Sequence, residues 1–261
     1  MAKQYQFLLS FDFDGTLIMH ESSPVFHPEM NRMLAILKQQ GAAFVINTGR
    51  NLEQTIEGIA QYGVLTQPDF IIARECDIYK PGILRSWVDF GSWNAIARKD
   101  QLNFNQINHS ALTQIQLMTH RETQANYMID HRQEHGIIAQ TEDELTHICQ
   151  YIDSFKDAFP TLDYNRNSIY LRFTHHAYNK GTALRELQRL LNLTLAQTFA
   201  AGDNYNDLSM LTPTCAKMLA CPVNSVPDVI QRIRSHNGFI STQQASEGMM
   251  QALHHYFKSS H

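Results

Sequence analysis

The sequence predicts an α/β protein: a doubly wound, parallel-sheet (Rossmann-like) core built from both ends of the chain, with a smaller α+β domain inserted between them. Short apolar runs alternate with amphipathic stretches from Tyr5 to Ala73. That is the pattern of strands joined by crossover helices, and so of a parallel sheet. The alternation breaks near residue 83 into segments with period-two patterning and resumes near residue 177. Polar clusters stand where the apolar runs end, the place where such sheets bind ligands.

Tyr5–Phe11 is the first strand, a nearly continuous apolar run of the kind buried on both faces. In PEMNRMLAILKQQG, Pro28 suits a first helical position and Gly41 a C-cap, while Met30, Leu34 and Leu37 share one face. AAFVIN (42–47) is the second strand. In NLEQTIEGIAQYG, Asn51 and Gln54 have capping-box spacing and Gly63 ends the helix. FIIA (70–73) is the third strand. Beyond it, ILRSWVDF, YMIDHR, GIIAQ and SIYLRFTH read as strands of an antiparallel or mixed sheet. Helices at about 109–121 and 142–158 lie between them. The βα pattern returns in NKGTALRELQRLLN, where Leu184, Leu187 and Leu191 form a stripe. It continues through TFAAGD, KMLACP and a last helix from about 246 to 258. Residues 1–82 and 177–261 are therefore expected to form the core, and 83–176 the insert.

Bulk properties narrow the class. A chain of 261 residues that is 43% hydrophobic can bury a full-sized core and two domains. A net charge of −4 lacks the basic footprint of a nucleic-acid binder. No run approaches the roughly 18 apolar residues of a membrane span. The N-terminus has one Lys and a short apolar run leading straight into Asp12, which does not read as a signal peptide. Cys76, Cys149, Cys215 and Cys221 lack CxxC spacing, as expected of reduced thiols in a cytoplasmic protein. Nothing implies a protein partner.

Four polar clusters fall where strands end or helices begin on one edge of the expected sheet: DFDGT (12–16), NTGR (47–50), NKG (179–181) and GDNYND (202–207). Singly, each is an ordinary turn or helix cap. Together they suit phosphoryl transfer, in which hydrolysis of a monoester needs up to about 10²¹-fold acceleration. The reaction requires a nucleophile, neutralisation of the phosphoryl oxygens and a proton for the leaving alkoxide. Asp12 is the candidate nucleophile, forming an aspartyl-phosphate. A hard cation must offset the anions, and Mg²⁺ fits, held by Asp12, Asp203 and the Asp14 carbonyl. Asp207 is a further metal-site acid, acting through water or by orienting Asp203. The Asp14 carboxyl then stays free to protonate the leaving oxygen and to activate water in the second step. Thr48, Gly49, Lys180 and Asn206 are candidate phosphate binders, Lys180 from a helix N-terminus. Gly15 allows close backbone approach to the phosphate and Thr16 ties the turn.

In this order these residues resemble the motifs of the haloacid dehalogenase-like (HAD) hydrolase superfamily. DFDGT resembles its first motif, the Thr of NTGR its second, the Lys of NKG its third and GDNYND its fourth. The resemblance spans nearly the whole chain. It implies Asp12 as nucleophile, Asp14 as acid/base, Thr48, Lys180 and Asn206 as phosphate contacts, and Asp203 and Asp207 at the metal. There is no room for a cap between Thr16 and Pro28, and the large insert lies between the second and third motifs. That placement is similar to type C2 caps of the IIB (Cof-type) group, which includes sugar-phosphate and sucrose-phosphate phosphatases and a phosphomannomutase. THHAYNKG departs from the short Pro/Gly-containing approach to the Lys seen in many members, so His175 and His176 are either substrate contacts or solvent-facing loop residues. Arg50 is a candidate for the non-transferred part of the substrate, with a structural ion pair as the alternative.

The resulting expectation is a Mg²⁺-dependent phosphatase acting on a small phosphorylated metabolite, a sugar phosphate by resemblance. A receiver-type signalling domain shares the Asp, Thr and Lys set, but its acceptor does not lie on the first strand and its compact fold has no place for the insert. A phosphate-binding protein without turnover has no need of Asp14. A phosphomutase uses the same residues and differs in where the phosphoryl group goes. Trp87, Trp93, Tyr127 and Tyr170 read as core aromatics rather than a sugar platform.

Overall fold

The computed structural model describes residues 4–130 and 133–257. The chain forms two compact units, one from Met1–Asn94 with Lys180–His261 and one from Ala95–Asn179. In chain order the larger unit opens with β1 (Phe7–Phe11), α1 (Pro28–Gln39), β2 (Ala42–Asn47), α2 (Leu52–Gln61), β3 (Phe70–Ala73), β4 (Asp77–Pro81) and β5 (Trp87–Asp89). Next come α3 (Trp93–Ile107), α4 (His109–Glu122), β6 (Asn126–Ile129), β7 (His135–Ile138), α5 (Glu142–Asp153), β8 (Leu162–Asn167) and β9 (Tyr170–His175). The larger unit closes with α6 (Lys180–Leu191), β10 (Thr198–Ala201), β11 (Met218–Cys221), α7 (Pro227–Ser235), β12 (Phe239–Ile240) and α8 (Ala245–Tyr256).

The larger unit is built on one sheet in the order β12-β11-β10-β1-β2-β3-β4-β5. Strands β12 to β3 are parallel, and β4 and β5 extend the sheet antiparallel. β1 lies between β10 and β2, the two halves of the chain, so every residue of β2 and the last four of β1 are buried. On one face Leu9, Phe11, Phe44 and Ile46 meet Met30, Leu34 and Leu37 of α1 and Met249, Ala252 and Leu253 of α8. On the other, Leu8, Ala43, Val45 and Ala200 meet Ala183, Leu184 and Leu187 of α6 and Val229 and Ile233 of α7. Each of the Val, Leu, Ile, Phe and Met side chains among these contributes about 1.5–3 kcal/mol by burial. The sheet is therefore covered on both faces, as a near-continuous apolar strand pattern demands.

The smaller unit has an antiparallel sheet in the order β6-β7-β9-β8. Ile137, Leu171 and Phe173 on one of its faces pack against Phe104, Leu112, Ile115, Leu145, Ile148 and Ile152 of the helices.

Several expectations change. ILRSWVDF was expected in the insert, but Trp87–Asp89 pairs with β4, so residues 83–94 belong to the larger unit. The reason is the antiparallel turn at β4, where only Ile78 is buried and the period signal is weak. Helix α3 was not foreseen, because among its residues only Ala97 and Phe104 are buried apolar positions and no stripe forms. β8 is polar apart from Leu162 and Tyr164, and so did not read as a strand. The expected strand YMIDHR runs onto His131 and Arg132, and the last helix onto Lys258; these lie outside the described residues. No helix among the described residues is long and apolar enough to cross a membrane. None of the four cysteines is joined in a disulfide, and Cys149, Cys215 and Cys221 are buried.

Candidate active site

Parallel strands direct their C-terminal ends to one edge, and the candidate residues leave from those ends. Asp12 follows β1, Thr48 follows β2 and Asp203 lies two residues past β10, while Lys180 opens α6. All of them belong to the larger unit. Lys180 is fully buried, and its Nζ bonds Asp12 Oδ1 at 2.7 Å and Asp207 Oδ1 at 2.6 Å. The Asn47 amide donates to the Lys180 carbonyl at 3.3 Å, tying the start of α6 to the end of β2. Asp207 Oδ2 accepts the backbone N–H groups of Asp203 and Asn204 at 2.8 and 2.9 Å. Both oxygens of Asp207 are thus engaged, which makes it the brace of the GDNYND loop. Thr16 donates to Asp203 Oδ1 at 2.6 Å, so it joins the first and fourth clusters. Gly15, at φ +79°, lies so close to Asp203 that a Cβ there would stand 2.3 Å from Oδ2. Only glycine fits both the backbone and the space.

The electrostatics are those of a site that lacks positive charge. Burial raises the Asp12 pKa well above its ordinary value, Asp207 and Asp203 add to this, and Lys180 opposes it. Burial and Asp207 push Asp203 up to about 7, with Thr16 and Lys180 pulling the other way. Burial acts against the Lys180 charge, but Asp12 and Asp207, with Glu75, outweigh it and raise its pKa. One ammonium faces three buried carboxylates whose oxygens lie within 4.8 Å of one another. An all-oxygen cluster of this kind, Asp12, Asp203 and Asp207, could hold a hard divalent cation.

Asp14 stands apart from that cluster. Its Oδ2 accepts from Arg50 Nε at 2.7 Å and its Oδ1 from Arg50 Nη2 at 2.6 Å, a two-point ion pair. His20 Nε2 lies 3.1 Å from the same Oδ1. Arg50 in turn rests over the rings of Phe13 and Tyr62, 5.1 and 5.7 Å from their centroids. Burial pushes the Asp14 carboxyl up, but the hydrogen bonds and charge of Arg50, with His20, hold it below its ordinary value. Arg50 therefore makes the ion pair that was the alternative to a substrate contact.

Thr48 is buried and its hydroxyl accepts the Arg50 N–H at 3.1 Å. Asn206 donates from Nδ2 to Glu75 Oε1 at 2.9 Å. Sequence reasoning passed over Glu75, although it leaves β3 at the same edge, two residues after Ala73; the strand-end rule applied to FIIA would have found it. It is buried at φ +73°, directly after Arg74 at φ +52°. Such a conformation costs about 1–3 kcal/mol for a side-chain-bearing residue and persists only where the surrounding structure holds it. Asn224, after β11, was also missed: it donates to the Gly15 carbonyl at 2.8 Å and accepts from Ala245 N–H at 3.1 Å. His175 and His176 stack on each other in the smaller unit, with centroids 5.1 Å apart, and His176 is exposed.

The fold has known counterparts. The sucrose-phosphatase of Synechocystis sp. PCC6803, solved with sucrose and phosphate, superposes with TM-score 0.75 at 18% identity, covering 97% of this chain and 98% of that one. A haloacid dehalogenase-like hydrolase protein of Bacillus subtilis gives 0.66 at 16%, covering 98% and 93%. A HAD subclass IIB sugar phosphatase, BT4131, gives 0.63 at 16%, covering 95% and 98%. No curated protein sequence matches the chain. The sequence model of the family described as sucrose-6F-phosphate phosphohydrolase matches residues 5–257. By that match the chain belongs to the sucrose-6F-phosphate phosphohydrolase family, and it is a phosphatase.

Proposed function

We propose that the chain is a Mg²⁺-dependent phosphatase for a small sugar phosphate, acting through an aspartyl-phosphate on Asp12. The observation that carries this reading is the meeting of Asp12, Lys180, Asp203 and Asp207 at one edge, with carboxylate oxygens within 4.8 Å of one another. Asp12 attacks phosphorus while the bond to the leaving oxygen breaks, and the Asp14 carboxyl gives that oxygen its proton. Asp14 then takes a proton from a water, which displaces phosphate from Asp12 and restores the carboxylate. Lys180, the Gly49 N–H, the Thr48 hydroxyl and the Asn206 amide hold the phosphoryl oxygens. Asp12, Asp203 and the Asp14 carbonyl would hold Mg²⁺, with Asp207 orienting Asp203. Bound there, the ion supplies the charge that lets a phosphate dianion approach a buried carboxylate.

Substrate class rests on kinship. The family description names sucrose-6F-phosphate, one structural counterpart holds sucrose and phosphate, and another is a sugar phosphatase. A disaccharide phosphate is therefore the first substrate to try, with the smaller unit, residues 95–179, as the domain that selects it. Phosphate release from sucrose 6-phosphate and p-nitrophenyl phosphate in Mg²⁺ tests the reading. Asp12→Asn should lose at least about 10³-fold in kcat with its melting temperature kept. Full turnover in that variant excludes the covalent route.

A further inference from the structure

Glu75 has no part in the reaction as derived above, yet it sits among the groups proposed to bind phosphate. Its N–H donates to the Thr48 carbonyl at 2.9 Å. Its Oε1 accepts from Asn206 Nδ2 at 2.9 Å and would lie 2.7 Å from a Cβ on Gly49. Lys180, fully buried nearby, registers its charge. The side chain reaches this place only because the backbone takes two successive positive φ values, at Arg74 and Glu75. A carboxylate and a phosphoryl group are both oxygen acceptors that use the same N–H donors, and two like charges cannot share one such corner cheaply.

We propose that the Glu75 carboxylate is an internal competitor of phosphate: it fills the anion-binding corner between Gly49 and Asn206 and must give way when a phosphoryl group binds. It thereby weakens retention of the product. This inference rests on the phosphatase reading of the same site. Its consequence is resistance to product inhibition, obtained by a strained residue rather than by removal of a phosphate contact.

The test is competitive inhibition of p-nitrophenyl phosphate hydrolysis by inorganic phosphate in Mg²⁺, in the wild type, Glu75→Gln and Glu75→Gly. Glutamine keeps the length and an oxygen for Asn206 but loses the charge. Glycine removes the side chain and suits the positive φ, so it guards against misfolding. The Ki for phosphate is expected to fall roughly threefold to tenfold in Glu75→Gln, and at least as far in Glu75→Gly. A Ki that is unchanged or raised in Glu75→Gln overturns the inference and leaves Glu75 as a brace for Asn206. A wild-type protein that releases no phosphate would instead sink the reading of the site. Calorimetry with inorganic phosphate then still compares the three proteins, and equal or weaker binding by both variants overturns the inference.

Discussion

Arg50 grips the Asp14 carboxylate with two N–H groups at 2.7 and 2.6 Å, and His20 closes on the same oxygen at 3.1 Å. A carboxylate so held favours its charged form. As acid/base, Asp14 must be loosened before it can carry a proton, and Arg50 sets how easily that happens. Arg50→Gln should raise the Asp14 pKa, because the lost hydrogen bonds and charge both favour the anion. The limb of the kcat/KM profile governed by Asp14 then moves to higher pH, and kcat on poor leaving groups is kept to higher pH than in the wild type. A loss of activity with an unmoved profile would make Arg50 purely structural. The stability effect has a definite sign as well. The lowered pKa contributes stability above the ordinary carboxylate value, and this is lost as pH falls through the folded value. Little of this was legible beforehand: Arg50 and Asp14 are 36 residues apart, and the choice between substrate contact and ion pair depends on three-dimensional proximity.

Among the elements, those with a long regular signal were read almost to the residue. AAFVIN and FIIA are β2 and β3 as written, because strands buried on both faces leave an unbroken apolar run. The stripe of Met30, Leu34 and Leu37 is the buried face of α1. The spacing of Asn51 and Gln54 is a true capping box, with both reciprocal bonds present at 2.8 and 3.1 Å. That cap starts the helix immediately after Arg50, so it helps set the exit of β2. Asn51→Ala should cost about 1 kcal/mol in urea denaturation. No change in the midpoint would mean that packing of Thr55 and Ile59 alone holds the turn. What escaped were elements whose burial is sparse: β4 with one buried residue, β12 with two residues in all, and α3 without a stripe. Their pairing is imposed by neighbours, Ile72 with Ile78 and Cys221 with Ile240, and not by a burial pattern of their own.

Across the whole molecule, the two ends of the chain meet as adjacent strands, β1 beside β10, and this brings the first and fourth clusters together. The break in periodicity led to an expected insert at 83–176, whereas the compact units divide after residues 94 and 179, the first of these boundaries depending on where a weak strand pairs. The same convergence concentrates acid in a buried place, and the consequence can be measured on the intact protein. Burial and Asp207 lift Asp203 from 3.8 to about 7. Below the unfolded value both states hold the proton, so burial costs nothing. Between the two values only the folded state keeps it, and the cost of charging the site grows as pH rises, reaching its full size above about 7. In EDTA, wild-type protein should therefore lose melting temperature relative to Asp203→Asn between pH 5 and 8. Mg²⁺ binds the ionised cluster and so must reverse the order, stabilising wild type over Asp203→Asn, and more strongly at pH 8 than at pH 5. Differential scanning calorimetry at the two pH values, with and without Mg²⁺, gives the four comparisons. A gap between the proteins that ignores Mg²⁺ would mean that these acids do not hold the ion.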